Sequence, residues 1–159
     1  SVSAVTETEY ITIEQDVFLK TIVSNPQTAF AFWWSAVQEE AILREQTLRL
    51  GRMNAKERIG HLLLELRLRM NTALGRHHDA LPLPLTRTDI ADALGLTSVH
   101  VSRTMSQMRR CDLIREDRNS VIIVDQERLM ALCHFDDAYL HLSGPPRKMP
   151  AFSMASTRC

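Results

Sequence analysis

The stretch TRTDIADALGLTSVHVSRTM, residues 86–105, sets two short amphipathic patterns on either side of Gly95, and no other part of the chain leaves so few folds open. Thr86 followed by Asp89 has the spacing of a helix start, and Ile90, Ala91 and Leu94 then fall on one side. Gly95 stands where a sharp turn needs a residue that tolerates positive φ. Thr97 caps a second helix from Ser98 to about Arg110, with Val101, Met105 and Met108 facing inward. Ala91, four before the glycine, is small enough for two helices to cross closely, and Val101, six after it, closes the core between them. This is helix-turn-helix spacing.

The outer side of the second helix separates a plain scaffold from a binding surface. Ser98, Val99, Ser102, Arg103 and Ser106 share that side. A helix exposed only to water usually carries long Glu and Lys side chains there, whereas short residues around one arginine permit close approach to a DNA groove. Immediately downstream, DLIRED and SVIIVD flank RN, which predicts a β-hairpin turning at about Asp117 to Ser120. Placed after such a helix, the hairpin is a wing whose tip can touch phosphates through Arg118. Asp125 then caps a helix over 126–132.

Upstream, Asn54 with Glu57 starts another helix, in which Ile59, Leu62, Leu63, Leu66 and Met70 recur at core spacing. Residues 75–85 form a loop and a short extended stretch whose prolines confine it to a sheet edge. His77 and His78 lie in that loop with no third ligand nearby, so no metal site is expected. Asn25 and Pro26 begin a proline-free helical pattern reaching about Met53, roughly 40 Å at 1.5 Å per residue. Phe30, Trp34, Val37, Ala41 and Leu48 fall near one face of it. Two readings are open: an ordinary core helix, or a helix that pairs with its twin in a dimer. The neighbouring Trp33 and Trp34 must point in different directions. Before this helix, 16–23 suits a short helix, and the alternation of Ile11 and Ile13 in EYITIEQ suits a half-buried strand. One strand needs neighbours, so the chain reads as the C-terminal part of something longer. Residues 143–159 lack any period and read as a flexible tail.

Composition removes several other classes. With 45% hydrophobic and 24% charged residues, the chain has the balance of a folded domain, and no apolar run approaches membrane-helix length. Cys111, Cys133 and Cys159 are odd in number and far apart, which suits reduced thiols in a cytoplasm. Formal net charge is zero, yet Glu7, Glu9, Glu14 and Asp16 gather early while arginines recur from Arg87 to Arg118. Phosphate contacts need only that local excess. The sequence has no glycine-rich phosphate loop, nucleophile elbow or metal-ligand pair on one helix face, so no enzyme is expected. Asp136 and Asp137 read as helix-start residues.

Over nearly its whole length to about Leu142, the chain resembles the Crp/Fnr family of bacterial transcription regulators. NAKERIGHLLLEL is similar to the helix opening that family's DNA-binding domain, LTRTDIADALGLTSVHVSRT to its helix-turn-helix, and FDDAYLHL to the closing segment of some members. The resemblance implies a mainly α fold: a long dimerisation helix followed by a winged helix-turn-helix domain with a small β-hairpin wing. Residues 1–25 would be the remnant of an N-terminal sensor β-roll, 26–53 the dimerisation helix with the stripe Phe30 to Leu48, and 54–142 the DNA-binding domain. It implies a homodimeric cytoplasmic regulator on near-palindromic double-stranded DNA, with RNA polymerase as a further partner and no membrane association. Arg103 matches the family's base-reading arginine, and Ser98, Val99 and Ser102 stand beside it as base-reading candidates. Thr86, Arg87, Thr97, His100, Ser106 and Arg118 are phosphate candidates. Two positions depart from the pattern: Val99 replaces a common glutamate, and Leu43 and Arg44 replace the Thr and Ser of cyclic-AMP-responsive members. No cofactor is expected in this chain, and its effector, operator and choice of activation or repression stay open. The alternative is a winged-helix module that binds protein rather than DNA.

Overall fold

The computed structural model describes residues 4–75 and 79–144; His77, His78 and all but the first two residues of the expected tail lie outside them. Helix α1 (Gln15–Ser24) stops at Asn25, whose side chain accepts hydrogen bonds from the backbone of Gln27 and Thr28 and so opens α2 (Pro26–Arg52). Pro26 fits there because the first turn needs no N–H donor. The next break is set by Asn54, which accepts from Lys56 and Glu57 N–H while the Glu57 carboxylate accepts from Asn54 N–H at 2.9 Å. This reciprocal cap begins α3 (Ala55–Leu74).

The rest is a compact helical unit with a small sheet on one side. Helices α4 (Arg87–Leu94) and α5 (Ser98–Arg110) are joined through Gly95 at φ +61°, the left-handed conformation anticipated from sequence. Strands β1 (Ala80–Pro82), β2 (Ile114–Asp117) and β3 (Ser120–Ile123) form an antiparallel sheet in the order β1-β3-β2. Asp117 pairs with Ser120, so Arg118 and Asn119 make the hairpin tip, and the proline-bearing β1 lies at an edge. Helix α6 (Gln126–Cys133) starts at the Asp125 side chain and packs on α3. Gly60 faces this contact: a Cβ there would lie 3.0 Å from Leu129 Cδ1, and that side chain would have to shift. Ile59, Leu63, Ile90, Val101, Met105, Met108, Leu113 and Leu129 form the centre of a single core.

Two sequence expectations need correction. Residues 10–14 form no strand, and Ile11 is 92% exposed, because no second strand among the described residues lies alongside to take its hydrogen bonds. The apolar stripe of α2 is also divided. Trp34 packs edge-on to His141 of its own chain at 5.6 Å, and Gln38 Nε2 donates to the carbonyls of Leu140 and His141, so this side of the helix rests on the chain's own short 3-10 turn (Ala138–Leu140). Phe30, Val37 and Ala41 are half-buried and Leu48 is exposed. The more exposed stripe runs instead through Trp33, Ala36, Glu40, Leu43, Thr47 and Leu50, at alternating spacings of three and four.

A buried polar cluster joins α2 to α3, and the hydrophobic pattern gave no sign of it. Arg49 pairs with Glu65 at 3.0 Å, and each is only 5% exposed at the side chain. Arg49 Nη1 also lies 3.1 Å from His61 Nδ1, while His61 Nε2 faces Glu45 Oε1 at 3.5 Å. Tyr139 OH donates to Glu65 Oε2 at 2.9 Å, and Phe135 and Tyr139 cover the imidazole. Burial first, then the Arg49 charge, pushes the His61 pKa from 6.5 down to about 4. The geometry agrees, since an Nδ1 that accepts from arginine belongs to a neutral ring.

A pH dependence follows with a definite sign. Below pH 6.5 the unfolded chain takes up a proton at His61 that the folded chain refuses until about pH 4. Stability is therefore complete above that range and falls as pH drops through it, by up to about 3 kcal/mol. Urea denaturation at about pH 7 and about pH 5 should show a smaller loss in His61→Gln than in the native chain. An equal loss in both proteins would assign the dependence to the carboxylates instead.

Candidate nucleic-acid interface

Helix α5 presents its outer side because its inner side is fully committed. Val101, Met105 and Met108 are completely buried and Thr104 nearly so, which fixes the helix rotation. Ser98, Val99, Ser102, Arg103, Gln107 and Arg110 are then left exposed, with Ser106 half-buried among them. Thr97 Oγ1 accepts from His100 N–H at 3.2 Å and anchors the first turn. The helix contains three arginines and no acid. The side chains of Arg103 and Arg110 bond to no other described residue, so their guanidinium groups are available. Sequence reasoning passed over Gln107 and Arg110, although both lie four residues beyond positions it did select.

The four base-reading candidates, Ser98, Val99, Ser102 and Arg103, thus lie together on one open surface. The phosphate candidates divide. Thr97, His100 and Ser106 border the surface, and Arg118 sits at the wing tip with its side chain unpaired among the described residues. Thr86 is occupied: its hydroxyl donates to Asp89 Oδ2 at 2.7 Å and accepts from Asp89 N–H at 3.1 Å. The hydroxyl bond to Oδ2, and after it the Thr86 N–H that donates to the same oxygen at 2.7 Å, hold the Asp89 carboxyl below the usual range. Arg87 is bound too, through Nη2 to Glu116 Oε1 on the wing, and Glu116 Oε2 accepts from Arg109 Nη1 at 2.5 Å. Both side chains serve the frame of the motif; the Thr86–Asp89 cap is the one its spacing announced, whereas spacing alone could not reveal the Arg87 partner 29 residues away.

A long helix feeding a four-helix unit, whose second motif helix is open and basic and whose hairpin flanks it, defines a winged helix-turn-helix protein built to meet duplex DNA. Residues 57–132 match the Crp-like helix-turn-helix domain. The chain is 37% identical over 108 residues to the nitrogen fixation regulation protein FixK of Azorhizobium caulinodans, covering 68% of this chain and 44% of that one. It is 36% identical over 115 residues to the transcriptional activatory protein AadR of Rhodopseudomonas palustris, covering 72% and 48%. Among solved structures, FixK2 from Bradyrhizobium japonicum superposes with a TM-score of 0.68 at 28% identity, covering 76% of this chain and 59% of that one. Residues 57–132 thus carry the helix-turn-helix domain of the Crp/Fnr family, whose members are DNA-binding transcription regulators rather than enzymes. It spans about half the length of the curated relatives it matches.

Proposed function

We propose that this chain is the DNA-binding and dimerisation part of a cytoplasmic transcription regulator that binds a near-palindromic operator as a homodimer. The observation that carries this reading is the acid-free outer side of α5, with Arg103 exposed and unpaired among short side chains. Each protomer lays α5 in the major groove, and the two-fold axis places half-sites about one helical turn, roughly 34 Å, apart. Arg103 donates two hydrogen bonds to a guanine, Val99 meets a thymine methyl, and Ser98 and Ser102 reach base edges. Thr97, His100, Ser106 and Arg118 anchor phosphates, which sets position rather than sequence. Control reaches this unit from a sensor region joined through residues before Pro26, by a shift of α2 about its junction at Asn54. RNA polymerase, as a further partner, rests on family membership alone.

The test is a mobility-shift titration over a salt series, using duplexes selected from a random pool. DNA binding through phosphate neutralisation must weaken steeply, by about 0.9 in log K per unit of log salt for each contact. A salt-independent interaction, or none with any duplex, would favour the protein-binding module instead.

Dimerisation is assigned to the open stripe of α2 rather than to the stripe containing Trp34. Trp33, Leu43 and Leu50 are 58%, 60% and 40% exposed, and the stripe they share, with its steps of three and four, suits pairing with a second copy. Leu43→Lys is therefore expected to leave the melting temperature of the monomer nearly unchanged. It should weaken self-association by on the order of 3 kcal/mol, since two leucines lose their burial. Sedimentation velocity against concentration measures this, and an unaltered dimer would return the interface to Phe30, Val37 and Leu48.

A further inference from the structure

Glu116 occupies a position that base and phosphate contacts do not explain. In β2 it pairs with the buried Val121, and its side chain is only 14% exposed. One carboxylate oxygen accepts from Arg87, the first residue of α4, and the other from Arg109, in the last turn of α5. Arg109 also donates to Ser106 Oγ at 2.9 Å from its second terminal nitrogen. A single acid thus ties the wing to both helices of the motif and takes up two arginines at the edge of the proposed DNA surface.

That arrangement affects two kinds of binding unequally. Non-specific affinity for duplex DNA is almost wholly electrostatic, whereas base contacts add a term that needs α5 correctly seated. For a phosphate to capture Arg87 or Arg109, the arginine must leave a mostly buried carboxylate, which is costly. Arg103, Arg110, Arg115 and Arg118 carry no such tether among the described residues. We infer that Glu116 is a specificity-determining positioning residue, which withholds Arg87 and Arg109 from indiscriminate phosphate contact and holds the wing against the recognition helix. This rests on the DNA-binding reading above.

Glu116→Gln keeps the side-chain shape and removes the charge. In the dimeric full-length protein, binding to a selected duplex and to a scrambled one is measured over a salt series, together with the melting temperature. The scrambled duplex is expected to bind on the order of tenfold more tightly at low salt, with a slope steeper by about 0.9 for each phosphate gained. The selected duplex should gain less, so the ratio of the two affinities falls. Adding Arg87→Gln to Glu116→Gln should remove much of the gain on the scrambled duplex. A lower melting temperature with unchanged slopes and ratio would make Glu116 a structural brace only and overturn the inference. Equal losses on both duplexes would overturn it as well. Wild-type protein that binds neither duplex would instead reject the DNA-binding reading and this inference with it.

Discussion

Arg49→Met is expected to lower the unfolding free energy by about 3–5 kcal/mol, the cost of leaving a buried charge without its partner. The loss is large because Glu65 is buried and its other cation, Arg69, is 3.4 Å away and much more exposed. Tyr139 cannot replace the missing charge. It donates one neutral hydrogen bond, and burial, reinforced by Glu65, holds its hydroxyl well above the usual tyrosine range. The second arm of the experiment is the double variant Arg49→Met with Glu65→Gln. It removes both charges and keeps an acceptor for Tyr139, so much of the loss should return. Urea melts of the four proteins close the cycle. A single-variant cost under about 1 kcal/mol would mean that water already screens the pair. If the cycle closes as expected, the pair contributes mainly direction: it holds the C-terminal end of α2 in one orientation on α3. That is the joint through which the proposed sensor control must pass.

How far the sequence revealed this molecule depended on whether each feature is local. Caps and turns were legible because Asn25, Asn54, Thr86, Gly95 and Thr97 act within four residues of themselves, and all five stand at the helix ends anticipated for them. Core positions of α4 and α5 were legible because burial follows helical period. The polar cluster was hidden for the complementary reason. Arg49, His61 and Glu65 look like solvent-side residues until α2 is laid on α3, and no periodicity encodes that crossing. The same applies to Arg87 and Glu116, which meet only once the hairpin folds back on the helices. On α2, the stripe from Phe30 to Leu48 was one of two candidates, because 3.6-residue periodicity permits two overlapping apolar faces. The sequence could not decide which one the chain covers with its own residues 138–141.

Arg103→Ala should then have the largest effect on DNA binding. A bidentate arginine–guanine contact discriminates by about 1–3 kcal/mol, and a symmetric operator contains it twice, so the dimer should lose about 2–6 kcal/mol in total. At 1.4 kcal/mol per decade, that is roughly 30-fold to 10⁴-fold in affinity. Folding should be almost unaffected, because Arg103 is exposed and its side chain makes no bond to any other described residue. Selectivity separates a base contact from a phosphate contact. If Arg103 reads a guanine, the variant loses affinity for the selected duplex but little for one already changed at that base pair, and one position per half-site becomes degenerate in selection. If it holds a phosphate, every duplex loses equally and the salt slope falls by about 0.9 per contact. The neighbouring Val99 sharpens the distinction, since a valine offers no acceptor to a cytosine amino group and leaves the adjacent base pair to be read by methyl contact. In the proposed reading Arg103 is therefore the main hydrogen-bonding reader on the surface, and a uniform loss across sequences would leave α5 without a strong means of choosing its site.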